Sequence, residues 1–203
     1  VPFIVGRKRR CIAPTLPPPE TLPVPVIFIH VPRTGGTAIC QTFGLLNSHA
    51  PAWERRRDLP PDLWTRSFKF AIVRNPWSQI ASFHRGHSKK DVGSIKDFKV
   101  WVRQGMPTSW RGNPQVPDDP FDQLNFISQN GQDLMDLVLR FETLQASMPD
   151  LCSRLGVPER SLPPINGKAK DWDWRGLYDD YCVKVIGQKY SAFIERFGYT
   201  FRP

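Results

Sequence analysis

Three short apolar runs punctuate the chain, and each gives way to a polar turn and then to an amphipathic stretch. Val26, Ile27, Phe28 and Ile29 form a continuous run with no alternation, as expected of a strand buried on both faces. Phe68–Val73 is a second such run, and residues 136–141 are a third candidate. Behind the first run the pattern predicts a helix from the glycines at 35 and 36 to about residue 46. Behind the second it predicts a helix from Pro76, a residue suited to a first helical turn, to about residue 84. Residues 47–51 read as a polar turn and residues 53–57 as a short charged stretch. Residues 94–104 have helical spacing, with Ile95, Phe98, Trp101 and Val102 on one face. A helix over 142–155 is closed by Gly156 and Pro158, and a long one over 177–197 is capped by Gly198. Residues 105–120 and 162–170 read as loops, the second basic. Strands alternating with helices predict an α/β fold with a mostly parallel central sheet flanked by helices. A single domain is expected over residues 24–203, behind a Pro-rich basic arm over residues 1–23.

Composition narrows the picture. Among 203 residues, 40% are hydrophobic and 12% aromatic, which excludes a chain too polar to build a core. The net charge of +9 suits an anionic partner such as a nucleotide or an acidic polysaccharide. Cys11, Cys40, Cys152 and Cys182 contain no C-x-x-C pair, so neither a zinc site nor a redox dithiol is expected, and reduced thiols are the default. No carboxylate cluster suggests a metal site. No run reaches the roughly 20 apolar residues of a membrane span. Arg7, Lys8, Arg9 and Arg10 are followed by prolines, which does not read as a signal peptide. No nucleic-acid-binding module is recognisable.

The chemistry concentrates behind the first two strands. Pro32, Arg33, Thr34, Gly35, Gly36 and Thr37 make a tight loop that opens a helix, the arrangement in which loop amides and a helix dipole cradle an anion. Behind the second strand stand Arg74, Asn75, Pro76, Trp77, Ser78, Gln79, Ile80, Ala81 and Ser82. With a helix beginning near Pro76, Ser78 and Ser82 lie about one turn apart on one face. Arg74 at the strand end can then share an anion with Ser82, since a guanidinium fork suits phosphate oxygens. A P-loop kinase or NTPase fits poorly, because no Lys-Ser/Thr pair follows the glycines and the second strand ends in Arg74, not Asp.

This pair of segments resembles the sulfotransferases that use 3′-phosphoadenosine 5′-phosphosulfate (PAPS), and their carbohydrate-type branch in particular. Val138-Leu139-Arg140-Phe141-Glu142, Leu162-Pro163-Pro164-Ile165-Asn166 and Phe197-Gly198-Tyr199 extend the likeness over nearly the whole chain. The resemblance implies a P-loop-NTPase-like fold and PAPS as sulfuryl donor, with 3′-phosphoadenosine 5′-phosphate (PAP) as product and no metal. It implies that Arg33, Thr34, Gly35, Gly36, Thr37 and Ala38 hold the 5′-phosphosulfate. Arg74 and Ser82 would hold the 3′-phosphate, and Asn166, Lys168 and Lys170 would close over the nucleotide. Arg33 stands where the family usually has Lys, and Ala38 where it often has a second hydroxyl.

Transfer also needs a base for the acceptor hydroxyl. By resemblance that base is His49, in the turn Asn47-Ser48-His49-Ala50-Pro51; Glu54 is the runner-up. His30 reads as core or supporting, and His84 and His87 as anion-binding or solvent-facing. Trp53, Arg55 and Arg56 are candidates for an acceptor groove, with Arg57 beside them. Arg140 and Glu142 are expected to pair structurally, and Trp64, Phe83 and Trp101 to be core. The implied acceptor is a hydroxyl compound, most readily a carbohydrate. The alternative is a non-catalytic protein binding polyanions or nucleotides on the same fold.

Overall fold

The computed structural model describes residues 22–86, 92, 95–111, 116–163 and 172–202. Its elements in chain order are β1 (Val26–Ile29), α1 (Gly36–Phe43), α2 (Ala52–Asp58), α3 (Pro61–Arg66), β2 (Phe68–Val73), α4 (Pro76–Gly86), α5 (Phe98–Arg103) and α6 (Leu124–Ile127). There follow β3 (Ser128–Gln129), β4 (Gln132–Asp133), β5 (Leu137–Arg140), α7 (Met148–Leu155), α8 (Asp180–Lys189) and α9 (Ser191–Phe197). The main sheet has the order β1-β2-β5 and is parallel at both junctions, with Val26 opposite Phe68 and Val73 opposite Arg140. The chain is therefore an α/β fold built on a three-stranded parallel sheet, with a separate antiparallel β3-β4 hairpin.

The side-chain period of two divides the strands between two cores. Val26, Phe28, Phe70, Ile72 and Leu139 face α1 and α7, meeting Ile39, Phe43, Leu151 and Leu155. Ile27, Ile29, Ala71 and Val73 face the opposite way, toward α2, α3, α6 and α9, meeting Ala52, Leu63, Phe126 and Phe193. With both faces covered, the strands are apolar on both sides apart from Lys69 in β2 and Arg140 in β5, which is why the sequence showed runs. A third cluster off the sheet end packs α4, α5 and α8 through Trp77, Ile80, Phe83, Trp101 and Ile186. Leu22 joins the first core, so packing begins within the segment expected to be arm.

Several helices are shorter than the periodicity predicts. α1 stops at Phe43 because Gly44 takes a left-handed conformation, φ 66°. The predicted helix over 142–155 begins only at Met148, after a 3-10 turn over Phe141–Thr143, with Pro149 in its first turn. The predicted helix over 177–197 breaks at Tyr190 into α8 and α9. The helix expected over 94–104 is confined to Phe98–Arg103 and capped by Asp97, which accepts from Val100 N at 2.9 Å. Cys40, Cys152 and Cys182 are buried free thiols, and burial pushes Cys40 up to about 12. No described helix is long and apolar enough to cross a membrane, and no group of potential metal ligands occurs among the described residues.

Candidate functional site

β1 and β2 run parallel and finish at the same end of the sheet, and the two loops leaving them meet. After Ile29 the chain turns sharply through Arg33 at φ 65° and Gly35 at φ 85°. The left-handed conformation is cheap for Gly35 and uncommon for an arginine. Thr34 is fully buried and its hydroxyl donates to the Val31 carbonyl at 2.8 Å. Gln79 reaches across from α4 and donates from Nε2 to the Pro32 carbonyl at 3.0 Å. α1 then starts at Gly36 with no side-chain cap and no acidic residue in its first turn, which keeps its positive end available to an anion. The glycine at 36 is required by packing: a Cβ there would lie 2.1 Å from Cδ2 of the His30 ring.

The second loop is built from side chains that arrive from far along the sequence. Gln123, itself buried, accepts from the Arg74 N–H at 2.8 Å and donates from Nε2 to the Arg74 carbonyl at 2.7 Å. Glu142 accepts from the Asn75 N–H at 2.7 Å and from the Tyr199 hydroxyl at 3.0 Å. Asn75 caps α4 by accepting from Ser78 N at 3.3 Å and ties down the C-terminal segment by donating to the Thr200 carbonyl at 2.8 Å. The Arg74 guanidinium lies over the Phe141 ring, 4.1 Å from its centroid. Burial lowers Arg74 to about 10, against the opposing pull of Glu142, so it is a cation at neutral pH.

The two loops interlock, though not as the spacing suggested. Arg74 Nε donates to Ser78 at 2.9 Å, and its Nη1 donates to the Arg33 carbonyl at 3.0 Å. Ser82 is instead held by Arg33, whose Nε and Nη2 reach its hydroxyl at 3.2 and 3.1 Å. Arg33 thus lies along α4, against Gly86, where an added Cβ would fall 2.5 Å from Nη2. One arginine from each loop faces one serine of α4, one turn apart.

Between the loops lies a cleft of about 300 Å³, at the small end of ligand-pocket sizes. Arg33, Gly35, Gly36, Thr37, Ala38, Arg74 and Ser82 line it together with His49, so these sequence candidates are brought to one place. Two arginines and no carboxylate are among its described lining residues, which makes their field positive. Thr34 is not a wall of the cleft; its hydroxyl is engaged within the loop. Asn166, Lys168, Lys170 and His87 lie outside the described residues, as do Cys11 and the basic tetrapeptide of the arm.

His49 is fixed by the strand end: its Nδ1 donates to the His30 carbonyl at 2.7 Å. With Nδ1 facing a carbonyl, the neutral ring carries its proton there, and Nε2 is the accepting nitrogen. The His30 and His49 rings lie 4.3 Å apart. His30 pairs through Nδ1 with Asn47 Oδ1 at 2.7 Å. Burial, with His49 beside it, pushes His30 down to about 3, so it is neutral and supporting.

Other expectations are redistributed. Trp53, Arg55 and Arg56 do not line the cleft. Arg55 is buried beside a small cavity of about 30 Å³ under Val26, Phe28 and Leu59, Trp53 packs into the second core, and Arg56 is exposed. Glu54 pairs with Arg57 at 3.2 Å and is likewise no wall of the cleft. His84 is not an anion ligand here: its Nε2 meets the Ile95 carbonyl at 3.0 Å and its ring packs on Trp101. Arg140 and Glu142 do not pair. Arg140 donates to the Phe197 carbonyl and stacks on Tyr199, while Glu142 serves Asn75 and Tyr199. Trp101 and Phe83 are core, as expected, and Trp64 packs against the second cluster. The walls missed in the sequence are Gln41, Phe141 and Pro163, and the missed supports are Gln79 and Gln123.

No protein-family model matches the chain, and no solved structure matches it. A protein of Archaeoglobus fulgidus, described as an uncharacterized protein, is 25% identical over 126 residues, covering 60% of this chain and 94% of that protein.

Proposed function

We propose that the protein is a sulfotransferase that moves the sulfuryl group of PAPS to an acceptor hydroxyl, on a P-loop-NTPase-like α/β scaffold. The observation that carries this reading is the convergence of two cationic loops and a base on one cleft: Arg33 with the α1 start, Arg74 with Ser82, and His49. A donor with one anionic group at each end of a ribose calls for two separate anion sites, and ATP has no 3′-phosphate to occupy the second. The uncapped α1 start, with Thr37, suits the 5′-phosphosulfate. Arg74, held from behind by Ser78, and Ser82 suit the 3′-phosphate. Arg33 bridges the two, since its backbone belongs to the first loop and its guanidinium to the second.

Chemistry in this arrangement is largely electrostatic and positional. His49 Nε2 takes the acceptor proton as the acceptor oxygen bonds to sulfur. The sulfur–oxygen bond to the 5′-phosphate breaks in line, and the leaving phosphate keeps the electron pair, stabilised by the α1 amides. No metal is needed in this scheme.

Incubation with PAPS carrying labelled sulfate, against a panel of hydroxyl acceptors, tests the proposal. Label transferred to an acceptor is the expected result. His49→Ala should lower kcat by about 10²-fold or more. A variant within about threefold of the parent would remove His49 as base. PAP binding with no transfer to any acceptor would favour the non-catalytic nucleotide-binding alternative. No PAP binding at millimolar concentration would reject the reading.

A further inference from the structure

We propose that the cavity between the end of α4, the start of α5 and the 3-10 turn over Arg175–Leu177 is a second ligand site, and that its ligand is a small aromatic carboxylate. The inference does not rest on the sulfotransferase reading. The cavity holds about 690 Å³, against about 300 Å³ for the cleft, and falls in the size range of small-molecule sites. The two have no lining residue in common. His49, Arg33, Arg74 and Ser82 all belong to the cleft, so the second cavity has neither the base nor the anion loops among its described walls.

Its walls divide by chemistry. Val92 and Phe98 are its most buried members, 4% and 6% exposed, and Ile95, Trp172 and Leu177 continue the apolar surface. Arg85, Lys96 and Lys99 add three positive charges to the lining, and none of them is ion-paired among the described residues. The one carboxylate in the described lining, Asp97, is engaged at the α5 start, where it accepts from Val100 N at 2.9 Å. A ligand that buries an apolar body and leaves an anionic group among these cations matches both parts. An inorganic anion would leave the apolar surface uncovered, and a neutral ring would make no use of the cations.

The apolar part suits a flat ring better than an alkyl chain. His84 and Phe98, both in the lining, meet edge-on, 5.4 Å apart at 81°. Arg85 lies over Trp172, 4.6 Å from the ring centroid. A planar ligand adds to such a cluster through ring edges and a guanidinium face, and it has fewer rotamers to lose than an alkyl chain. With its plane held against the indole, the Arg85 fork keeps its N–H edge for a carboxylate.

Calorimetric titration of the full chain tests this with three probes. They are 1-naphthoate, 1-naphthylmethylamine, which has the same rings and the opposite charge, and decanoate. The expected result is naphthoate binding at one site, at least about tenfold tighter than either control. Arg85→Gln/Lys96→Gln/Lys99→Gln should weaken naphthoate about tenfold or more. These side chains are exposed or half-buried, so the melting temperature should hardly move. Trp172→Leu should weaken naphthoate about three- to tenfold. Saturating PAP should leave naphthoate affinity within about threefold, as separate sites require. No binding at millimolar naphthoate, equal affinity for the amine, tighter binding of decanoate, or parent-like affinity in the triple variant would each overturn the inference. So would displacement of naphthoate by PAP, which would make the cavity part of the cleft. Absence of PAP binding strikes the sulfotransferase reading alone and leaves this inference to the other titrations.

Discussion

The two loops of the cleft hold their shapes by different means. The loop behind β1 is held by local backbone geometry and close packing: left-handed turns at Arg33 and Gly35, an internal bond from Thr34, and His30 pressed against Gly36. The loop behind β2 is held from a distance, by Gln123 on both backbone atoms of Arg74 and by Glu142, Tyr199 and Thr200 around Asn75. A loop made from its own residues is encoded within a few positions and tolerates little change in size there. A loop made by distant side chains depends on the whole fold, and its weak points lie outside the motif. The cleft requires both, because Arg33 crosses from the first loop to a serine of the second.

Substitutions at these supports should therefore differ in kind as well as in size. Gln123→Leu keeps volume but leaves the buried Arg74 N–H and C=O unpaired, and should cost about 2–4 kcal/mol of stability. Chemical denaturation measures it, and a change under about 0.5 kcal/mol would mean the clamp is incidental. Arg74→Ala removes a charge-assisted ligand and should weaken PAP binding roughly 10- to 100-fold by calorimetry. Gly36→Ala should cost about 1–3 kcal/mol, because the buried His30 ring, held by Asn47 and packed against Phe28 and His49, has little room to yield. In a double-mutant cycle the Gly36→Ala cost should shrink in a His30→Ala background if the ring, not the backbone, is the obstacle.

The smallest effect concerns pH. His30 is lowered from 6.5 to about 3 in the folded protein. The unfolded chain therefore binds the extra proton first as pH falls, so the contribution is full above 6.5 and is lost progressively from 6.5 toward 3. Between pH 6.5 and 5, before most carboxylates titrate, the melting temperature should fall more for the parent than for His30→Asn. Equal slopes would contradict a buried neutral His30.

The same division explains what the sequence revealed. β1, β2 and the two loops that leave them were legible because their signals are local: apolar runs, glycines, and Pro76 at a helix start. β5 emerged nearly in place for the same reason. Pro149 was a legible sign that the helix over 142–155 starts late, and Asn130-Gly131, both with positive φ, was a legible hairpin turn between β3 and β4. The break at Tyr190 has no such mark. Neither Gly nor Pro stands there, and the phenol engages Asp119, a contact between remote segments. Gln123 was illegible for the same reason, since it lies 49 residues from the arginine it holds. The exchange of serine partners between Arg33 and Arg74 depends on side-chain direction, which residue spacing does not encode.

The central claim is a grip on two phosphates, and a pair of calorimetric titrations tests it most directly. PAP and adenosine 5′-phosphate differ only in the 3′-phosphate. A two-phosphate grip requires PAP to bind at least about 100-fold tighter, through charge-assisted contacts from Arg74 and Ser82. It also predicts that Arg74→Ala erases most of that ratio. Equal affinities for the two nucleotides in the parent protein would contradict the account.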